Sequence, residues 1–222
     1  MVNVQARRAV TPPVVLAATL GVAAACWGFT AWLMTGMDMG VATTPGTFGF
    51  FAAAWVTMMA AMMLPGVAPA LARHTRIAGT ARAALLFSGS YLSIWAVIGV
   101  AAFVLDRPHS SAVAGAVVIA AGVYELTPVK RNFRQRCREE TSSGLGLGLC
   151  CIGSSLGLMA MLVALDVMNL FLMAVIAVIV TAQKLLPVRA AIDVTLALAF
   201  IGLGLVVIID PSLIPGLTPP PM

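Results

Sequence analysis

The residues best suited to chemistry lie in Trp55-Val-Thr-Met-Met-Ala-Ala-Met-Met-Leu-Pro65, which holds four of the chain's 13 methionines. On a helix, Met58 stacks with Met62 and Met59 with Met63, because residues four apart share a face. Thioethers are soft, polarizable donors that suit Cu(I) better than hard ions. Methionine is equally a flexible filler of irregular gaps between helices, so ligation and packing both stay open here. Cys150-Cys151 offers further soft donors. Adjacent helical residues point about 100° apart, so one of them, Cys151, joins the expected set. Glu125 completes it, since a carboxylate inside an apolar span usually faces the bundle interior or water. Its alternative is an interfacial acid paired with Lys130 or Arg131. Cys137, amid arginines, reads as an ordinary loop cysteine. A second, outer candidate is Met37, Asp38 and Met39, beside Met34 and near Asp166 and Met168.

The elements that must position these groups are apolar helices. The 222 residues are 61% hydrophobic and only 9% charged, against about 25% charged in a soluble domain. A spanning helix needs about 20 apolar residues. The pattern predicts an all-α transmembrane bundle of seven spans, near 13–35, 47–72, 83–105, 111–127, 143–165, 167–182 and 190–209. Six spans plus a re-entrant element, formed from the sixth and seventh, is the runner-up. Residues 1–222 read as one integral membrane domain with an extended proline-rich tail at 211–222. Pro65-Gly66 and Pro69 are expected to kink the second span or end it early. The fourth span is short and rich in Ala, Gly and Val, which lets helix backbones approach closely, so it is expected to be central. Residues 130–138 read as a basic loop.

Placing the N-terminus inside puts all of the 13 basic residues except Arg107 on the inner side. That split follows the positive-inside rule. The net charge of +5 therefore reports orientation and points to no nucleic acid. Met58 and Met62 then lie about 17 and 22 Å below the outer edge, and Cys150 and Cys151 about 11 Å above the inner one, by the rise of a helix. Glu125 lies slightly lower, so the three types of donor share the inner half of the bundle. No nucleophile–base pairing, phosphate loop or dinucleotide fingerprint is present, and no enzyme is expected.

Four segments together resemble a bacterial family described as predicted metal-binding integral membrane proteins of unknown function. They are Trp55 with Met58-Met59-Ala60-Ala61-Met62-Met63-Leu64-Pro65; Tyr124-Glu125-Leu126-Thr127-Pro128 with Lys130; Leu158-Met159 with Val167-Met168-Asn169-Leu170; and Lys184-Leu185-Leu186-Pro187. The resemblance implies a multi-pass protein of the bacterial cytoplasmic membrane. In that family a cysteine is usual where Phe133 stands here, and a cysteine pair where Ser154-Ser155 stands. The thiolate supply is thus thinner in this chain. The expected function is binding or handling of a soft metal, copper as Cu(I) in the first place, within the bundle. The alternatives are a non-catalytic accessory or assembly subunit of a larger membrane complex, such as a copper-dependent oxidase or monooxygenase, and a small transporter. The expected surroundings are the lipid bilayer and other membrane subunits.

The charge split makes a direct prediction. A cysteine introduced in the 106–110 turn is labelled by an impermeant reagent on intact cells, whereas one in the 131–140 stretch needs permeabilisation. Labelling of both from one side rules out seven spans with this orientation.

Overall fold

The computed structural model describes residues 11–34, 47–105, 110–140, 142–165, 169–186 and 190–210. Among the described residues the secondary structure is wholly helical: α1 (Pro12–Met34), α2 (Phe48–Ala78), α3 (Ala81–Leu105), α4 (Ser111–Glu125), α5 (Pro128–Glu139), α6 (Gly144–Leu165), α7 (Leu170–Leu185) and α8 (Ala190–Ile209). The all-α expectation holds. By length and composition, α1, α2, α3, α6 and α8 can each cross a membrane, and α4 with α5 makes a sixth if counted as one broken span. The expected count of seven exceeds this because α4 and α7 have 15 and 16 residues. At 1.5 Å per residue they reach only about 22–24 Å, short of a core about 30 Å thick. The broken pair is also not the expected one: the chain bends by 66° between α4 and α5. Met37, Asp38, Met39, Asp166, Met168 and the 211–222 tail lie outside the described residues.

Helix α2 runs through the methionine segment for 31 residues. Its start is capped by Thr47, whose hydroxyl accepts from the Phe50 amide at 3.4 Å. It ends at Gly79, whose φ of +69° is the left-handed turn glycine adopts without strain. Pro65 and Pro69 do not end it. Each removes one amide donor, but neighbouring helices enclose this stretch, and an apolar bundle tolerates such prolines. The enclosed helices are α2 and α6, with 61% and 67% of their apolar windows buried, against 28% or less for α1, α3 and α8. The centre expected of the fourth span therefore falls to α2 and α6, which pack against α1, α3 and α7 and against α3, α4, α5 and α7, respectively.

Helix α4 uses its small residues differently, as a close seam with α8. A Cβ on Gly122 would lie 2.9 Å from the Ala197 carbonyl, and one on Gly204 2.7 Å from the Gly115 carbonyl. Only glycine permits such an approach of backbones.

Residues 130–138 form helix α5 instead of a loop. Thr127 caps its start by accepting from the Lys130 amide at 3.3 Å, and Pro128 occupies the first turn, where its missing N–H costs nothing. Its inward face is the charged one: Lys130 and Arg134 are buried, and Cys137 follows one turn on. Buried charges persist only when paired and hydrogen-bonded. Lys130 is ion-paired with Glu125 at the end of α4. Gln183 of α7 donates to the other Glu125 oxygen at 2.9 Å. Arg134 donates to Asp193 of α8 at 2.5 Å and to the Gln183 carbonyl at 3.0 Å. Arg131 Nε lies 3.8 Å from the second Asp193 oxygen. Glu140 closes α5 and accepts from the Ser142 hydroxyl and amide; these bonds hold its carboxyl below the usual range.

This network predicts an asymmetry. Lys130→Met strands a buried carboxylate and costs about 3–5 kcal/mol. The paired variant Glu125→Leu, Lys130→Met lies closer to the parent than either single change. Glu125→Gln is milder than Glu125→Leu because it keeps hydrogen-bonding groups. Thermal unfolding in detergent reads all four. Equal midpoints for Glu125→Gln and Glu125→Leu would mean that the carboxylate makes no interior bonds of consequence.

Candidate metal centre

The bend at Thr127 turns α5 back against α6 and α7, and a cavity of about 460 Å³ lies where they meet α2. Cys137, Cys151, Ser154, Gln183 and Lys184 line it, with Gly66 on the α2 wall. Cys151 sits in the second turn of α6 and is buried. Cys137, in the last turns of α5, brings its thiol within interaction range of the Cys151 thiol. The Cys137 sulfur is also 3.7 Å from the Ser154 hydroxyl. From α3, the fully buried Tyr91 donates its hydroxyl to the Cys151 sulfur at 3.3 Å.

Lys184 reaches into the same group from α7. Its ammonium lies 3.4 Å from the Met63 sulfur, 3.4 Å from the Tyr91 hydroxyl, and in range of the Cys151 thiol. Gly66 makes this path available. A Cβ there would stand 2.6 Å from the Lys184 Cδ, so any larger residue would push the lysine stem aside. Lys184 thus shares one cavity with two thiols and touches one thioether. This donor set is soft, and it fits Cu(I) while offering little to hard cations.

Of the residues expected from sequence, Cys151 and Met63 come together here. Met58, Met59 and Met62 are buried in the core around α2, with at most 3% exposure. Met62 lines a different, apolar cavity of about 620 Å³, beside Trp27 of α1 and Pro65. Glu125 does not join the sulfurs; Lys130 and Gln183 hold its two oxygens. Gln183 links the two groups, since it also lines the thiol cavity, as does Arg134. Cys150, next to Cys151, is partly exposed and does not line the cavity. Among the described residues, no three of His, Cys, Asp and Glu converge as a metal cluster.

Cys137, Tyr91 and Lys184 were not in the expected set. The signal for Cys137 was Thr127-Pro128, a capped helix start that places Lys130, Arg134 and Cys137 on one face. The local departures from the resembled family also find a place. The Ser154 and Ser155 hydroxyls donate to the Cys151 carbonyl at 3.0 and 2.6 Å, so they serve their own helix. The Phe133 ring covers Gly153, where a Cβ would lie 2.5 Å from it, and fixes the close approach of α5 to α6.

A family model described as a copper chaperone, PpoB2, matches residues 52–207. The matched region begins in α2, ends in α8, and contains Met63, Tyr91, Cys137, Cys151 and Lys184. No curated protein and no solved structure matches the chain significantly. With more than half of its 222 residues covered by that model, the chain belongs to the PpoB2 copper chaperone family.

Proposed function

We propose that this protein receives and hands on Cu(I) inside a multi-pass membrane bundle, without catalysing a reaction, and that Cys137, Cys151 and Met63 hold the ion. One observation carries the reading: the two thiols meet in a cavity that Met63 approaches from α2 through Lys184. Copper is cargo here. Two thiolates suffice for Cu(I), which accepts low coordination numbers, and a thioether can join or leave as the ion moves. Low coordination suits transfer, because an incoming ligand meets an open side of the ion. Tyr91 and Ser154 orient the two sulfurs by hydrogen bonds.

The membrane setting rests on the apolar helices and on the large side chains they turn outward, such as Leu85, Phe171 and Val178 at 73%, 79% and 68% exposure. Lipid is the solvent that tolerates such a surface. The proposed setting is a bacterial cytoplasmic membrane, with Arg73, Arg138 and Lys184 toward the cytoplasm under the positive-inside rule. A protein that carries Cu(I) without using it serves a recipient. A copper-dependent oxidase or monooxygenase complex in the same membrane is the proposed partner, this chain being its accessory and assembly factor.

Copper retained after mild chelation separates ligands from packing. Cys151→Ser and Cys137→Ser each lower the copper-to-protein ratio of the purified protein, and the double variant abolishes retention. Met58→Leu with Met62→Leu leaves it unchanged, because such volume-conserving swaps usually cost under about 1.5 kcal/mol and remove no proposed ligand. Reducing conditions keep the methionines from becoming sulfoxides. Retention that survives the double cysteine change but fails in the double methionine variant would move the site into the α2 core.

A further inference from the structure

The cavity has an electrostatic character that its sulfur donors alone do not explain. Arg73, Arg134, Arg138 and Lys184 line it, and no Asp or Glu does so among the described residues. Arg134 is already matched by Asp193. Arg73 and Arg138 lie at the rim, where they donate to the carbonyls of Arg138 and Leu185 at 3.5 and 3.0 Å. That leaves Lys184 as the cation that enters the donor group itself, half-buried beneath Tyr91 and against Met63. No carboxylate among the described lining residues stands against this part-buried ammonium. A bound ion changes that balance according to its valence.

The charge count is direct. Metal-bound cysteines are deprotonated, so Cu(I) and two cysteines give a bis-thiolate centre of charge −1, any thiol proton passing to solvent, with no change of oxidation state. Met63 is neutral and does not alter the sum. Zn(II) with the same ligands gives a centre of charge zero. Next to the Lys184 ammonium, the Cu(I) centre makes a neutral pair, whereas the Zn(II) centre leaves a net +1 in a partly desolvated site. Ligand softness favours Cu(I) over hard ions but gives less discrimination against Zn(II), which thiolates also bind well. Charge supplies the missing discrimination.

We propose that Lys184 makes this site selective for monovalent over divalent thiophilic ions, by supplying the counter-charge that a two-thiolate Cu(I) centre needs and a two-thiolate Zn(II) centre does not. The proposal rests on the cysteine site put forward above. It makes Lys184 a positioning and selectivity residue, with no bond to the ion. Gly66 is part of the device, since it lets the lysine stem cross α2 at this level.

The test uses the full chain in detergent under anaerobic, reducing conditions, with Cu(I), Ag(I) and Zn(II) affinities measured by competition with chromophoric chelators. Parent, Lys184→Met and Lys184→Arg are compared. Removing one charge near a partly buried ion changes affinity by about tenfold or more. Lys184→Met therefore lowers the ratio of Cu(I) or Ag(I) affinity to Zn(II) affinity by about that factor. Lys184→Arg keeps the charge and the order of preference. A change in that ratio cannot arise from poor folding, which weakens both ions together. An unchanged ratio of Cu(I) to Zn(II) affinity, or equal loss of both, overturns the valence role and leaves the cysteine site standing. A parent that binds Cu(I) no better than its Cys137→Ser, Cys151→Ser variant removes the site and the lysine's role together.

Discussion

A low-dielectric interior admits charge only in neutral groups, and this constraint shapes the lower half of the bundle. Two cations on one face of α5, Lys130 and Arg134, must be matched where they are buried, and Glu125 and Asp193 do so. Gln183 ties the two pairs by donating to Glu125 and accepting from Arg134. The consequence reaches beyond stability. Because the charged face of α5 turns inward, so does Cys137 one turn later, and it meets Cys151. The sulfur pair is thus a by-product of how charges are neutralised next to it. Such networks are weak evidence for stability, but this one plainly sets where a thiol points.

Much of this was legible in the chain. Apolar content and helix length carry the all-helical bundle, and the small residues of α4 announce a close backbone seam, found against α8. The pairing of Glu125 with Lys130 was one of two readings open from sequence, and it is the arrangement observed. Other features were not legible, for physical reasons. High charge made residues 130–138 look like a loop, because amphipathic patterning assumes that the polar face is the wet one. Pro65 and Pro69 suggested a break, yet surrounding helices sustain α2 through both. Tyr91 and Lys184 lie far from Cys151 in sequence, and only packing brings them to it.

The methionine segment contributes one sulfur to the contacts of Lys184. All four of Met58, Met59, Met62 and Met63 are buried, as either packing or ligation would require. Only Met63 has its sulfur against a polar group. The rest lie buried in the core around α2. Density of a donor type along a sequence thus says less about chemistry than one donor's contact with a neighbour 121 residues away.

The separation of partners along the chain also bears on biogenesis. Arg134 has its carboxylate 59 residues downstream, in α8, and Glu125 waits 58 residues for Gln183. When α5 leaves the ribosome, neither is available. Lys130 has Glu125 at hand, but full burial of Arg134 is coupled to the arrival of α7 and α8. A chain truncated before α8 lacks Asp193 and leaves the Arg134 guanidinium without its carboxylate.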